Sequence, residues 1–379
     1  MRIMHINSYF GSDLFYKELY DQQAQRHDLC VAVPARVMHD DFGLSHGSYS
    51  RQVALPKTRS PFLFKKTYSA AYREIAPMLR EFRPDIIHAH TLFSNGYVAF
   101  LAHQDIGIPY VVTVRDTDLN VFMKLVPFLR ATGRQILDSA SQITFLSHPY
   151  RQELSERWLE GNLKDTVMNK SSVVPNGLGG FWLDHVGDAR AYPGSPLRFL
   201  LVGSIDGRKD PLGAIRRTTE EMAEMTDAAW NFSVMGQVPW ALSPMAKWHA
   251  RNIENRLASA PKVQLLPHGD ADSVMRAMAN ADIFILLSHR ESFGRVYLEA
   301  ISQGLPVLYT KGQGFDGLFP DGEVGFPVDL KNKHGLGDAV TRILDDYVPM
   351  SDRCITRARD SGWSRVAKQY ERVYLQALA

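Results

Sequence analysis

Cysteine is almost missing from this chain: Cys30 and Cys354 are the only two in 379 residues, too few for a disulfide framework and consistent with a reducing compartment. Cys30 lies in the apolar stretch LCVAV and reads as core. No apolar run approaches membrane-spanning length. The N-terminus opens on the strand-like IMHI rather than on a signal peptide, so the expected localisation is cytoplasmic. An excess of one charge is lacking too. Lys and Arg number 43 against 41 Asp and Glu, a formal net charge of +2, and without a long basic block no nucleic-acid partner is expected. The first strand is not followed by G-x-G-x-x-G, which counts against a dinucleotide-dependent oxidoreductase. No Ser/His/Asp or Cys/His constellation points to acyl-type nucleophilic catalysis.

What is present is an ordinary globular composition, 45% hydrophobic and 22% charged. A length of 379 residues exceeds what one core organises, so two domains are expected. Short apolar strands alternate with longer helical patterns, the signature of parallel α/β sheets. One series runs Ile3–Ile6, Leu29–Val33, Ile86–His88, Tyr110–Val114, Ile143–Leu146 and Val173–Val174. A second runs Phe199–Val202, Phe232–Met235, Val263–Leu266, Ile283–Leu287 and Val307–Tyr309. Between them Asp184–Pro196, rich in Gly, Asp and Pro, is the expected linker, giving domains at 1–185 and 196–362.

The segment Ala281–Leu308, ADIFILLSHRESFGRVYLEAISQGLPVL, is the most informative. Ile283 to Leu287 suit a strand covered on both faces. Ser288 to Gly294 form a polar turn. A helix is expected from about Arg295, on the spacing of Val296, Leu298, Ala300 and Ile301, and Gly304 and Pro306 stop it. The amides of Phe293, Gly294, Arg295 and Val296 would then point out of the helix start, where the dipole favours phosphate. Gly294 removes a side chain that would block approach. Glu299, about one and a half turns in, is placed to accept from a ribose diol, and Glu291 in the turn to accept from hexose hydroxyls.

The Glu-x7-Glu pattern in ESFGRVYLEAISQGLPVL is similar to the donor signature of retaining family 4 glycosyltransferases of the GT-B fold. MRIMHIN, PDIIHAHT, GIPYVVTVRDTD, VVPNG, FLLVGSIDGRKDPLGAI and the final ERVYLQAL follow in the family's order, so the resemblance spans nearly the whole chain. It implies two doubly wound Rossmann-like domains facing a central cleft, the C-terminal one holding the donor. The helix 363–379 would pack back on the first domain.

On the donor side, Gly203 ends a strand and Arg208 and Lys209 follow in the loop, where cations would neutralise a diphosphate as it leaves. The resemblance assigns the diphosphate to Lys209 most directly. Ser204 stands where an Arg is frequent, with Arg208 as its substitute. In the family the position of the PHGD loop with His268 contacts the base, and it does not separate uracil, guanine and adenine; a UDP- or GDP-sugar is the expected donor. The glycine-rich KGQGFDG, Lys311–Gly317, is placed to close on the sugar. The nucleotide sugar is a co-substrate; no other cofactor is expected.

On the acceptor side, Tyr9, Phe10, Gly11 and Ser12 bridge the first strand and helix, and Gly11 would let an amide approach the donor phosphate. His88 and His90 share one strand face, but no spacing supplies a third metal ligand. His90, with Thr91, is the pocket candidate. Asp116-Thr117-Asp118 resembles the metal-binding Asp-x-Asp of the other major glycosyltransferase fold. That fold, however, does not carry the Glu291/Glu299 clamp, so no metal site is assigned. Asp116 and Asp118 are expected to bind acceptor hydroxyls or brace the loop. Arg115 stands where many members place a His; it would act through charge or hydrogen bonding, not as a base.

The resemblance implies transfer of a hexosyl-type sugar with retention, to a glycan, lipid-linked or small-molecule hydroxyl in polysaccharide or glycoconjugate biosynthesis. Front-face substitution is favoured over Glu291 as nucleophile. Arg208, Lys209, Glu291 and Arg115 form the expected catalytic set. A catalytically weakened nucleotide-sugar-binding protein, prompted by Arg115 and Ser204, is the alternative. Bulky apolar residues beside cations at Pro61–Phe82 and in VFMKLVPFLRATGRQIL raise a peripheral contact at the inner face of the plasma membrane, weighed against a helix packed with its lysines outward.

Overall fold

Alternation of buried strands with longer helices builds two separate parallel sheets. The computed structural model describes residues 1–11, 14–38, 42–56, 60–225, 229–239 and 243–379; Ser12 lies outside them. The first sheet contains β1 (Arg2–Ile6), β2 (Asp28–Ala35), β3 (Ser50–Ala54), β4 (Ile86–Ala89), β5 (Tyr110–Val114), β6 (Gln142–Phe145) and β7 (Ser171–Val173). Their order is β3-β2-β1-β4-β5-β6-β7. The second contains β8 (Leu197–Val202), β9 (Trp230–Met235), β10 (Val263–Leu266), β11 (Ile283–Leu286), β12 (Val307–Thr310) and β13 (Gly325–Val328). Its order is β10-β9-β8-β11-β12-β13. In each sheet the order reverses beside the first strand, between β1 and β4 or between β8 and β11. A doubly wound sheet opens a ligand crevice there, at the carboxyl ends.

The sequence pattern did not announce β3 and β13. Both are edge strands: β3 buries only Ser50 and Val53, and β13 is GFPV, with a proline that an interior strand would not accept. Edge position relaxes the demand for an apolar run on which strand recognition depends.

Compact units comprise residues 1–177 with 363–379, and 178–362. In the first, alternate residues of β1 serve opposite faces: Met4 and Ile6 join one buried cluster, Ile3 the other. The helix Trp363–Leu378 covers the Ile3 face with Trp363, Val366, Tyr370, Val373 and Tyr374. That spacing is an amphipathic stripe, and each fully buried side chain of this size contributes about 1.5–3 kcal/mol. A Cβ at Gly177 would lie 2.6 Å from the Trp363 ring, so this junction has no room for a larger residue.

The segment expected as a linker is a strap on the second unit. Gly187 N donates to Ser302 O at 2.9 Å and Arg190 N to Ser351 Oγ at 2.8 Å. The Arg190 guanidinium donates to the carbonyls of Met278, Ala279, Ala281 and Gln303. The division therefore falls at Gly177/Leu178, ahead of that segment. One arginine satisfying four carbonyls fastens the Gly- and Pro-rich segment to this unit.

Candidate functional site

In the second unit, two loops beside the β8/β11 reversal carry the charges. The loop after β8 is organised by Asp206, whose Oδ1 accepts from the amides of Arg208 (2.9 Å) and Lys209 (3.1 Å) while Oδ2 accepts from Ser204 Oγ (2.9 Å). Burial would raise this carboxyl, but Ser204, the Lys209 amide and Arg208 together bring it below its ordinary value. Arg208 pairs with Asp206 at 3.1 Å and is largely exposed. Lys209 turns the other way and pairs with Glu291, with side chains 17% and 11% exposed. Gly203 packs tightly, since a Cβ on Gly236 would lie 1.9 Å from its carbonyl oxygen.

Glu291 is held by the glycine-rich loop after β12. Its amide donates to Gln313 Oε1 (3.0 Å) and its carbonyl accepts from Gly314 N (2.8 Å). A Cβ on Gly314 would lie 2.3–2.5 Å from the backbone of Glu291, Ser292 and Phe293, so only glycine permits this approach. Phe315 anchors the loop by packing on Tyr297 and Tyr309, at 4.6 and 5.1 Å between ring centroids. The loop thus positions a carboxylate rather than serving as a plain connection.

The helix Arg295–Ser302 begins at Gly294, whose φ of 80° is the left-handed conformation glycine adopts without strain. Among the described residues, the amides of Phe293, Gly294 and Val296 meet no acceptor, the condition for an anion site at a helix start. Arg295 is exposed. Glu299 is crowded on the same helix, and its carboxylate accepts no hydrogen bond among the described residues. Burial pushes its carboxyl up to about 7, with Arg295 pulling back. A carboxylate left short of donors in a confined place is suited to a ligand that brings them. His268 is exposed and lines a cavity of about 510 Å³ together with Met235, Gln264, Leu266 and residues of the helix Ala271–Ala279.

In the first unit, Arg115 lies between the rings of Tyr9 and Tyr16, its Cζ 5.4 and 5.2 Å from their centroids. Its Nε donates to His90 O at 2.6 Å. Burial opposes its charge, but Tyr16 and Tyr9 hold its proton above the ordinary value. Tyr9 OH is 3.3 Å from Thr117 Oγ1. Asp116 Oδ1 accepts from Asn120 Nδ2 and Tyr150 OH, both at 2.7 Å. Gly11 faces β2, where a Cβ would meet Val33 Cγ1 at 3.3 Å.

Three of the acceptor candidates are buried and engaged within the first unit, Asp118 in the bracing role that was one of its two expected readings. Asp118 is 1% exposed, and its carboxylate accepts from the amides of Leu92, Phe93 and Arg115 at 2.9, 3.1 and 2.9 Å. Burial pushes its carboxyl up to about 6 against these three bonds. It braces two loops, and its burial keeps both oxygens turned to these amides. Thr91 is buried, with Oγ1 accepting from Asn95 N at 2.9 Å, in the first turn of the helix Ser94–Ile106. The His90 imidazole is wholly buried and offers Arg115 only its backbone carbonyl.

A third histidine, His5, meets His88 and His90 across the β1/β4 register, with imidazole nitrogens within 4.8 Å of one another. Residues so far apart in sequence give no spacing signal. The His88 and His90 rings stack at 4.1 Å and 25°, so their in-plane lone pairs run side by side rather than converging as metal coordination requires. His5 Nδ1 bonds His90 Nε2 at 2.9 Å, and His88 bonds Tyr374 OH and Thr113 Oγ1, each at 2.8 Å. Burial holds His5 down to about 3 and the other two well below their ordinary value, so the stack is neutral. It ties β1 and β4 to the C-terminal helix.

The family model for glycosyl transferases group 1 matches residues 191–361, and that for the glycosyl transferase 4-like domain matches 16–164. The N-acetyl-alpha-D-glucosaminyl L-malate synthase of Bacillus anthracis is 26% identical over 302 residues, covering 78% of this chain and 75% of that protein. Among solved structures, the sucrose-phosphate synthase of Thermosynechococcus elongatus superposes with a TM-score of 0.74 at 16% identity, covering 99% of this chain and 98% of the other. HepE of Anabaena, solved in complex with UDP, gives 0.71 at 14% identity over 99% and 100%. These likenesses show the two-sheet GT-B fold.

Proposed function

The chain belongs to the glycosyl transferases group 1 family, and we propose that it moves a hexosyl-type sugar from a UDP- or GDP-sugar to an acceptor hydroxyl with retention of configuration. The observation that carries this reading is the cluster at the β8/β11 reversal: Lys209 paired with Glu291, unpaired amides at Phe293, Gly294 and Val296, and the donor-starved Glu299.

In this reading the diphosphate takes Lys209 and the helix-start amides, with Arg208 in support at the rim. Lys209 leaves Glu291, which then accepts from the hexose hydroxyls. Glu299 accepts from the ribose diol, and the base rests against the His268 loop, which lines the cavity. The acceptor oxygen bonds to the anomeric carbon on the face from which the phosphate departs, and its proton passes to a phosphate oxygen. Lys209 and the amides stabilise the leaving charge, so no enzyme nucleophile and no metal ion are required. On the acceptor side the reading retains Tyr9, Asp116 and Arg115, the last as a fixed charge. UDP bound to HepE of Anabaena supports the donor class. The setting is cytoplasmic polysaccharide or glycoconjugate synthesis, with a glycan, lipid-linked or small-molecule acceptor.

The test is nucleoside diphosphate release across a panel of nucleotide sugars and acceptors, with the product's anomeric configuration assigned by nuclear magnetic resonance. One donor and acceptor pair should give acceptor-dependent release and a retained anomer. An inverted product would overturn the mechanism. Donor binding without release under any acceptor would favour a binding protein.

A further inference from the structure

Two segments of the first unit that are distant in sequence meet at one exposed surface. The turn Pro61–Leu63 presents Phe62 at 82% exposure, and the turn Pro127–Leu129 presents Phe128 at 51%. Their rings stack on each other, 5.1 Å between centroids and 9° between planes. Leu125 at 67%, Leu63 at 42% and Val121 at 39% extend the apolar area. The scaffold beneath is fixed. Phe64, Met123, Val126 and Leu129 are buried, and Phe64 packs on Phe93 and Phe122. The exposed residues alternate with these anchors, so their exposure is built into ordered chain.

The chain flanking the two tips is basic as far as Glu74 and Asp138. Residues 60–73 carry Lys65, Lys66 and Arg73, residues 119–137 carry Lys124, Arg130 and Arg134, and neither stretch contains an Asp or Glu. Lys65, Lys66, Lys124 and Arg134 are exposed. Apolar tips flanked in the chain by exposed cations fit anionic headgroups above an acyl boundary. They fit a protein interface less well, because lysine is depleted there. Lone exposed apolar residues need no explanation; two phenylalanines stacked on each other in segments that also expose lysines do.

We infer that this face docks on an anionic lipid bilayer, Phe62, Phe128 and Leu125 entering the headgroup boundary while Lys65, Lys66 and Lys124 meet lipid phosphates. The surface is continuous with the candidate acceptor loop. The wide helical turn Asp118–Met123 leads from Arg115–Thr117 straight to Val121, Lys124 and Leu125. Docking therefore sets that loop beside the headgroups, where, on the transferase reading, a lipid-linked acceptor is presented.

The experiment sediments the full chain with vesicles of equal phosphatidylglycerol and phosphatidylcholine, and with phosphatidylcholine alone. Binding should require the anionic lipid and fall with salt. Lys65→Gln with Lys66→Gln should lower partitioning about fivefold per cation, and Phe62→Ser with Phe128→Ser on the order of tenfold or more. Met245→Ser with Trp248→Ser, exposed apolar positions of the second unit, should change nothing. Circular dichroism melting verifies that each variant folds. Equal binding to both vesicles, variants that bind like wild type, or a dimer dispersed by the Phe62/Phe128 change would overturn the inference. Stabilisation by nucleoside diphosphate without vesicles reads the donor site of the other unit, so failure of either claim is seen separately.

Discussion

Replacing Glu299 by Gln should move stability and donor affinity in opposite directions. The carboxyl is pushed from 4.5 to about 7, chiefly by burial. A raised folded-state pKa means that the stability present below pH 4.5 is lost as pH rises through 7. At about 1.36 kcal/mol per unit the loss comes to about 3.4 kcal/mol, and nearer 2 with the solvent contact that remains to the side chain. The ligand-free Gln variant escapes this loss, so at pH 8 it should melt several degrees above wild type. At pH 4.5 the two should converge. Donor binding should do the reverse. A ribose diol donating to a carboxylate is a charge-assisted contact of about 1.5–3 kcal/mol, so the variant should bind about 10- to 100-fold more weakly at pH 8. Wild-type affinity should climb from pH 6 to 8, with proton release on binding near pH 7, while the variant stays flat. Scanning calorimetry with and without UDP- and GDP-sugars reads both effects. A variant no more stable than wild type at pH 8, or one that binds the donor equally well, would refute the reasoning.

Two further outcomes follow from the same geometry. Lys209→Met strands Glu291 in a mostly buried place and should cost about 1–3 kcal/mol by denaturant unfolding; adding Glu291→Gln should restore stability but not diphosphate binding. Asp118→Ala leaves the amides of Leu92, Phe93 and Arg115 without their shared acceptor and should lower stability by about 1–3 kcal/mol with donor binding intact. A loss of donor binding there, measured on protein that still folds, would contradict its assignment as a brace of the first unit.

The interior of both sheets was legible because buried parallel strands must be continuously apolar, as Ile283–Leu286 shows. The helix start at Gly294 and Arg295 was equally plain, since glycine and the apolar period mark it locally. Contacts across long sequence separations were not. Nothing local says that Lys209 pairs with Glu291, that Gln313 and Gly314 hold the Glu291 backbone, or that His5 completes a stack with His88 and His90. Asp118 stayed open between acceptor ligand and brace because an acidic triplet looks the same whether its carboxylates face a ligand or cap three amides. Arg190 misled, fastening a segment whose composition reads as a linker.

Calorimetric titration of the full chain with UDP, GDP and ADP, repeated on Lys209→Met, tests the donor site most directly. One diphosphate should bind with 1:1 stoichiometry and lose at least about tenfold in affinity when the Lys209 charge is removed. Absence of binding by all three, or binding that Lys209→Met leaves unchanged, would contradict a diphosphate site at the β8/β11 reversal.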